Sequence, residues 1–122
     1  MIKNKNIEAS LKYIKGSFYK LNLVANLVRG LDVKNADAQL LFSDKRIAIS
    51  LRKLLQSCIA NAKHNFGLNE ENLFIKTIDV GRAFALKRSM PCGRGKVGKI
   101  EKRYSNVRII LEDKTNVSKE VK

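Results

Sequence analysis

The side chains in this chain that could do chemistry are cations, and they crowd into one segment. Between positions 82 and 103 stand Arg82, Lys87, Arg88, Arg94, Lys96, Lys99, Lys102 and Arg103 against a single acid, Glu101, so this stretch holds +7 of a formal net charge of +14. Ammonium and guanidinium groups at that density repel one another on a folded surface, and phosphate is the usual partner that neutralises them. Nucleic acid therefore leads as the ligand, with an anionic membrane surface second. Gly93, Gly95, Gly98 and the only proline, Pro91, lie among the cations. The glycines permit sharp turning or close backbone approach, and Pro91 is expected to fix a bend near the tip.

Other constellations lead to less. The string Gly93-Arg94-Gly95-Lys96-Val97-Gly98 has the glycine spacing of a dinucleotide loop, but that motif needs a βαβ unit with a helix after the glycines. A strand pattern follows instead, and no Lys-Ser or Lys-Thr pair accompanies them. His64, the only histidine, falls near the end of a helical pattern beside Asn61 and Asn65; it reads as a helix-end or RNA-facing polar group rather than a base. Cys92 stands in a basic setting, yet no histidine is placed to make a dyad with it. Metal-ligand spacing is absent. The expectation is a protein that is not an enzyme, with no cofactor, no metal and no small-molecule substrate.

The basic segment needs a body to hold it. With 122 residues, 44% of them hydrophobic, the chain suits one domain with one modest core. Ile7, Ala9, Leu11 and Tyr13 alternate with Glu8, Ser10 and Lys12, the pattern of an opening strand that Gly16 ends. Ser17 is placed to cap a helix carrying Leu21, Val24, Ala25 and Val28, which Gly30 stops. Asp32 is placed to cap a short second helix with Ala36, Leu40 and Leu41. From 44 to about 65, Ile47, Leu51, Leu54, Leu55, Cys58 and Ala62 form one apolar stripe, while Lys45, Arg52, Lys53 and Lys63 lie off it; this third helix should be the backbone of the core. After Gly67, residues 73–80 read as a strand whose alternation is disturbed at Lys76 and Thr77, and Val107, Ile109 and Leu111 mark another.

If the last two strands pair, the segment between them makes a ribbon of about eleven residues each way, reaching about 35 Å at roughly 3.3 Å per residue. A domain of this size has a radius of gyration of only about 13 Å, so the ribbon must project. Like charges across its strands are expected to oppose pairing, which an anionic groove would relieve. The other reading of the segment is a disordered basic loop. Residues 1–113 are thus expected to form one domain with an arm at about 82–103, and 114–122 a flexible tail. No apolar run of about eighteen residues and no helix with one greasy and one basic face is present, which argues against a membrane partner. The N-terminus lacks the features of a secretion or transit signal, and Cys58 lies on an apolar helix face, so a reducing cytosol is expected and a disulfide is not.

Four stretches make the chain resemble a known family: Lys20-Leu21-Asn22-Leu23-Val24-Ala25-Asn26-Leu27-Val28-Arg29-Gly30, Ile59-Ala60-Asn61-Ala62-Lys63-His64-Asn65, Lys87-Arg88-Ser89-Met90-Pro91 with Gly95-Lys96, and Ile100-Glu101-Lys102-Arg103-Tyr104-Ser105-Asn106-Val107. The family is large-subunit ribosomal protein twenty-two of the bacterial type, and the likeness runs over about residues 7 to 113 in order. It implies an α+β fold, three helices packed on a small three-stranded antiparallel sheet with a long protruding β-hairpin arm. It also implies an assembly protein at the outer surface of the large subunit, whose arm threads ribosomal RNA to line the peptide exit tunnel. The implied partners are large-subunit ribosomal RNA, neighbouring ribosomal proteins and the nascent peptide. The implied location is the ribosome of the cytoplasm, or of an organelle matrix or stroma if the gene is organellar.

Carried over by position, Lys87, Arg88, Arg94, Lys96, Lys99, Lys102 and Arg103 would contact RNA along the arm. Lys20, Arg29, His64 and Asn65 would do so from the body, and Met90, Pro91, Cys92 and Gly93 would form the tunnel tip. Cys92 departs from the arginine usual after the Met-Pro pair, and Gly93 from the usual alanine, leaving one charge fewer. Glu8 and Tyr13 fall where the family is usually more basic. The competing reading is a free-standing RNA- or DNA-binding chaperone-like protein, which salt would wash off where a stoichiometric ribosomal component would stay.

Overall fold

A computed structural model describes residues 7–114; the rest of the expected tail, and the residues before Ile7, lie outside the described residues. The order is β1 (Ile7–Lys15), α1 (Phe18–Val28), α2 (Val33–Leu41), α3 (Arg46–Phe66), β2 (Leu73–Pro91) and β3 (Val97–Asp113), with short 3₁₀ turns at Glu70–Asn72 and Gly93–Gly95. The strands form one antiparallel sheet in the order β1-β3-β2. This is the α+β arrangement that the resemblance implies.

Each helix follows from its apolar spacing. In α1 the buried residues are Leu21, Val24, Ala25 and Val28, and the Ser17 side chain accepts a hydrogen bond from the Lys20 N–H at the N-terminus. In α2 they are Val33, Ala36 and Leu40. Asp32 holds the N-cap position of α2 without capping it. Its carboxylate instead pairs with Lys114 at 2.7 Å, which ties the first residue of the expected tail to the body. In α3 the stripe is Ala48, Leu51, Leu54, Leu55, Cys58, Ile59 and Ala62. Gly67, at φ 61, ends that helix in the left-handed conformation, and the Leu68 N–H donates back to the Ala62 carbonyl at 3.2 Å.

The sheet turns one face to these helices through rows that cross all three strands. Ile7, Leu111 and Ile75 make one row, and Ala9, Ile109 and Ile78 the next; Leu11, Val107 and Val80 make the last. Ile75 and Ile78 are three residues apart and would point to opposite faces of a regular strand. The bulge between Ile75 and Thr77, where the sequence pattern is disturbed, keeps both on the core side. Ile110 falls on the other face, opposite Glu8 and Thr77. Burying Ile7, Ile75, Ile78, Val107, Ile109 and Leu111 contributes about 1.5–3 kcal/mol for each side chain, so the core rather than any polar pair holds the body together.

Candidate nucleic-acid interface

β2 and β3 do not stop where the core stops. Beyond the row of Val80 and Val107 they pair through Gly81–Asn106 and Arg82–Ser105, pass a bulge, and resume from Ala85–Arg103 to Pro91–Val97. From the Ala85–Arg103 pair to the tip the residues are exposed apart from a partial covering of Leu86, Gly98 and Ile100. The basic segment is therefore a paired hairpin continuous with the sheet, and not a patternless loop.

The register corrects the expected repulsion. No two cations of the arm stand directly opposite each other: Arg103 faces Ala85, Lys102 faces Leu86, Arg88 faces Ile100 and Lys99 faces Ser89. Lys87 faces Glu101, which also pairs with Arg103 at 3.3 Å, so the single acid sits between two cations. Opposed residues of an antiparallel pair share a face. One face therefore bears Lys87, Lys99 and Arg103 around Glu101, and the other bears Arg88 and Lys102 beside Leu86, Met90 and Ile100. Both faces are cationic, which suits a rod surrounded by phosphate rather than one lying on a flat anionic surface.

At the tip, the Cys92 N–H donates to the Lys96 carbonyl at 2.7 Å. The reversal is made by Arg94 and Gly95, at φ 62 and φ 73, the two successive left-handed residues of a type I′ turn. Pro91 is not the bend: it is the last paired residue of β2, opposite Val97. Met90, Pro91, Cys92, Gly93, Arg94 and Lys96 are all exposed. A Cβ on Gly98 would come within 3.0 Å of the Cys92 sulfur, so glycine there leaves room for the thiol.

The candidates on the body are separate from the arm. Lys20 is exposed on α1, and His64 and Asn65 are exposed in the last turn of α3. Arg29 is engaged with its own chain. Its guanidinium donates to Asn22 Oδ1 and to the Ile78 carbonyl, both at 2.8 Å, and to Asn26 Oδ1, clamping the end of α1 to β2. That partner lies 49 positions away, which is why its structural duty was not legible in the sequence.

Sequence reasoning also passed over Tyr13, Phe84 and Tyr104, whose rings meet at the base of the arm. They come from three different strands, and no local spacing signals them. Arg82 stands beside this corner with its guanidinium 4.4 Å from the centre of the Phe18 ring. Of the two cysteines, Cys92 is exposed and Cys58 is buried, where burial, reinforced by the charge of Glu8, pushes the thiol up to about 11. Among the described residues no group of three His, Cys, Asp or Glu side chains is placed to hold a metal, and no helix is long and apolar enough to cross a membrane.

The family model described as ribosomal protein L22p/L17e matches residues 9–112. Among similar proteins are three bacterial ones named large ribosomal subunit protein uL22. That of Neorickettsia sennetsu is 45% identical over 105 residues, 86% of this chain and 93% of the relative. That of Wolbachia pipientis is 43% identical over 92% of this chain and 98% of the relative. That of Rickettsia prowazekii is 44% identical over 92% of this chain and 95% of the relative.

Proposed function

Because the chain belongs to the L22p/L17e family of ribosomal proteins, a structural constituent of the large subunit and not an enzyme, we propose that its hairpin binds large-subunit ribosomal RNA. In this reading the arm aids assembly and lies along the nascent-peptide exit tunnel, with the body against RNA and neighbouring ribosomal proteins. The observation that carries it is the hairpin of β2 and β3, paired to Pro91–Val97 and bearing cations on both faces. A two-stranded ribbon is marginal alone in water. Phosphates on both sides would supply what this one lacks, since each neutralised phosphate releases counterions.

Within this reading Lys87, Arg88, Arg94, Lys96, Lys99, Lys102 and Arg103 contact RNA along the arm, while Lys20, His64 and Asn65 contact it from the helices. Arg29 contributes by holding α1 against β2. Residues 90–93 form the tip that faces the nascent peptide.

Sedimentation of ribosomes through increasing salt tests the assembly: the protein is expected in the large-subunit peak at one copy and to stay there at moderate salt. Loss from the peak at low salt would favour a free-standing polyanion binder. The exposed thiol of Cys92 tests the tip. A cysteine-reactive crosslinker on a stalled nascent chain is expected to capture it, and a chain spanning the tunnel that never reaches Cys92 would reject the tunnel placement.

A further inference from the structure

The corner where the arm leaves the body carries an aromatic cluster that phosphate binding does not explain. Phe84 lies between Tyr104, at 4.7 Å between ring centres and 21° from parallel, and Tyr13, at 5.1 Å and 59°. The rings meet because both outer strands depart from regular pairing there: β1 between Leu11 and Ile14, and β2 between Arg82 and Ala85. Irregularities of this kind re-aim side chains and recur beside functional sites. Tyr13 is held at φ 70, a left-handed conformation that a bulky residue adopts only when its surroundings impose it, and its N–H donates to Asn106 Oδ1 at 3.4 Å.

A cluster serving only to stiffen the hairpin would bury its rings. Here Tyr13 is 59% and Phe84 43% exposed. Beside Phe84 and Tyr104 opens a hollow of about 290 Å³ lined by Phe18, Arg82, Phe84, Glu101, Arg103 and Tyr104 among others. Partly exposed aromatic rings flanked by guanidinium groups have the chemistry of a nucleobase platform: an outer ring of the cluster stacks on the base and the arginine meets the neighbouring phosphate. A base inside a duplex has no free face to offer, so the ligand must be unpaired.

We propose that Tyr13, Phe84 and Tyr104 form a stacking site for one unpaired ribosomal-RNA base, with Arg82 and Arg103 against its flanking phosphates. The site rests on the RNA-binding reading above and adds to it a contact that depends on ring faces rather than on charge. It also accounts for the bulge in β2, which interrupts the regular ladder at the root of the arm and turns Phe84 toward the tyrosines.

The test is binding of the full chain to large-subunit ribosomal RNA, comparing wild type, the double variant Tyr13→Leu with Phe84→Leu, and Tyr13→Phe, each checked for cooperative thermal unfolding. The double variant is expected to bind about tenfold more weakly. Its slope of log affinity against log salt should be unchanged, because no phosphate contact is lost. Tyr13→Phe, which keeps the ring, should bind like wild type. Short-wave irradiation of the wild-type complex needs no variant and should attach a nucleotide to Tyr13, Phe84 or Tyr104. Unchanged affinity in a folded double variant, or crosslinks along the arm with none at these rings, overturns the site while leaving RNA binding by the arm intact. A defect seen only in assembled subunits and not on RNA alone also overturns it, since the corner would then pack on a neighbouring protein. Failure of the wild type to bind RNA at all would overturn the RNA-binding reading as well.

Discussion

The two halves of β2 share one backbone geometry but sit in different environments. From 73 to 80 the strand has α1 and α2 over one face and contributes Leu73, Ile75 and Ile78 to the core. From 85 to 91 it has only β3 beside it, and its side chains are exposed apart from the partial covering of Leu86. The inner half gains its stability from buried apolar area. The outer half has ladder hydrogen bonds, a register that keeps cations from facing one another, and little else. A strand can thus be continuous in hydrogen bonding while the buried apolar area that stabilises it ends at the edge of the body.

Removing the arm should have the largest effect. Replacing residues 87–99 by an Asn-Gly turn removes five cations, and if each contacts a phosphate the salt slope of RNA binding should fall by about 3.5. Affinity at low salt should drop by orders of magnitude while the body still unfolds cooperatively. Loss of that cooperative transition would show that the arm belongs to the folding unit.

The converse change is Leu55→Ala, at a fully buried position of α3. It should cost about 3 kcal/mol and lower the thermal midpoint by roughly 10 to 20 °C. The salt slope of RNA binding should not move. A shifted slope would couple the core to the arm.

Charge reversal within the arm should have a smaller effect. Arg88→Glu with Lys102→Glu places two acids on one hairpin face and should weaken RNA binding well beyond Lys119→Glu with Lys122→Glu near the C-terminus. Equal losses would mean that the net charge acts diffusely and the hairpin has no special place.

The smallest change is chemical labelling. A thiol reagent at pH 8 should modify Cys92 and spare Cys58, because burial keeps the Cys58 thiol protonated well above that pH. Denaturant should expose Cys58 together with the loss of helix signal. Early labelling of Cys58 would show the body opening locally around α3.

Much of the body was legible because helices and half-buried strands write their periods into the chain. The positions of Leu21, Val24, Ala25 and Val28, and the stripe through α3, are local consequences of one helical face meeting a core. Even the bulge at Lys76 shows as broken alternation. The arm was legible as charge and length, but its register was not: whether Lys87 faces Glu101 or another cation depends on a bulge near Phe84 that no local pattern marks. Asp32 has the residue type and place of a cap, but Lys114 claims its carboxylate from the far end of the described chain.

Composition and periodicity by themselves determined the three helices, the strands that flank them and the segment carrying half the net charge, and they pointed to the kind of ligand such a segment suits, since these depend on residue type and on neighbours within a few positions. Tertiary structure alone decided which cations share a face, that Arg94 and Gly95 rather than Pro91 turn the tip, that Arg29 clamps α1 to β2, and that Tyr13, Phe84 and Tyr104 meet at one corner. The physical reason is the same throughout: pairing register and ring contacts join residues tens of positions apart, and only the packed sheet brings them within a few ångströms of one another.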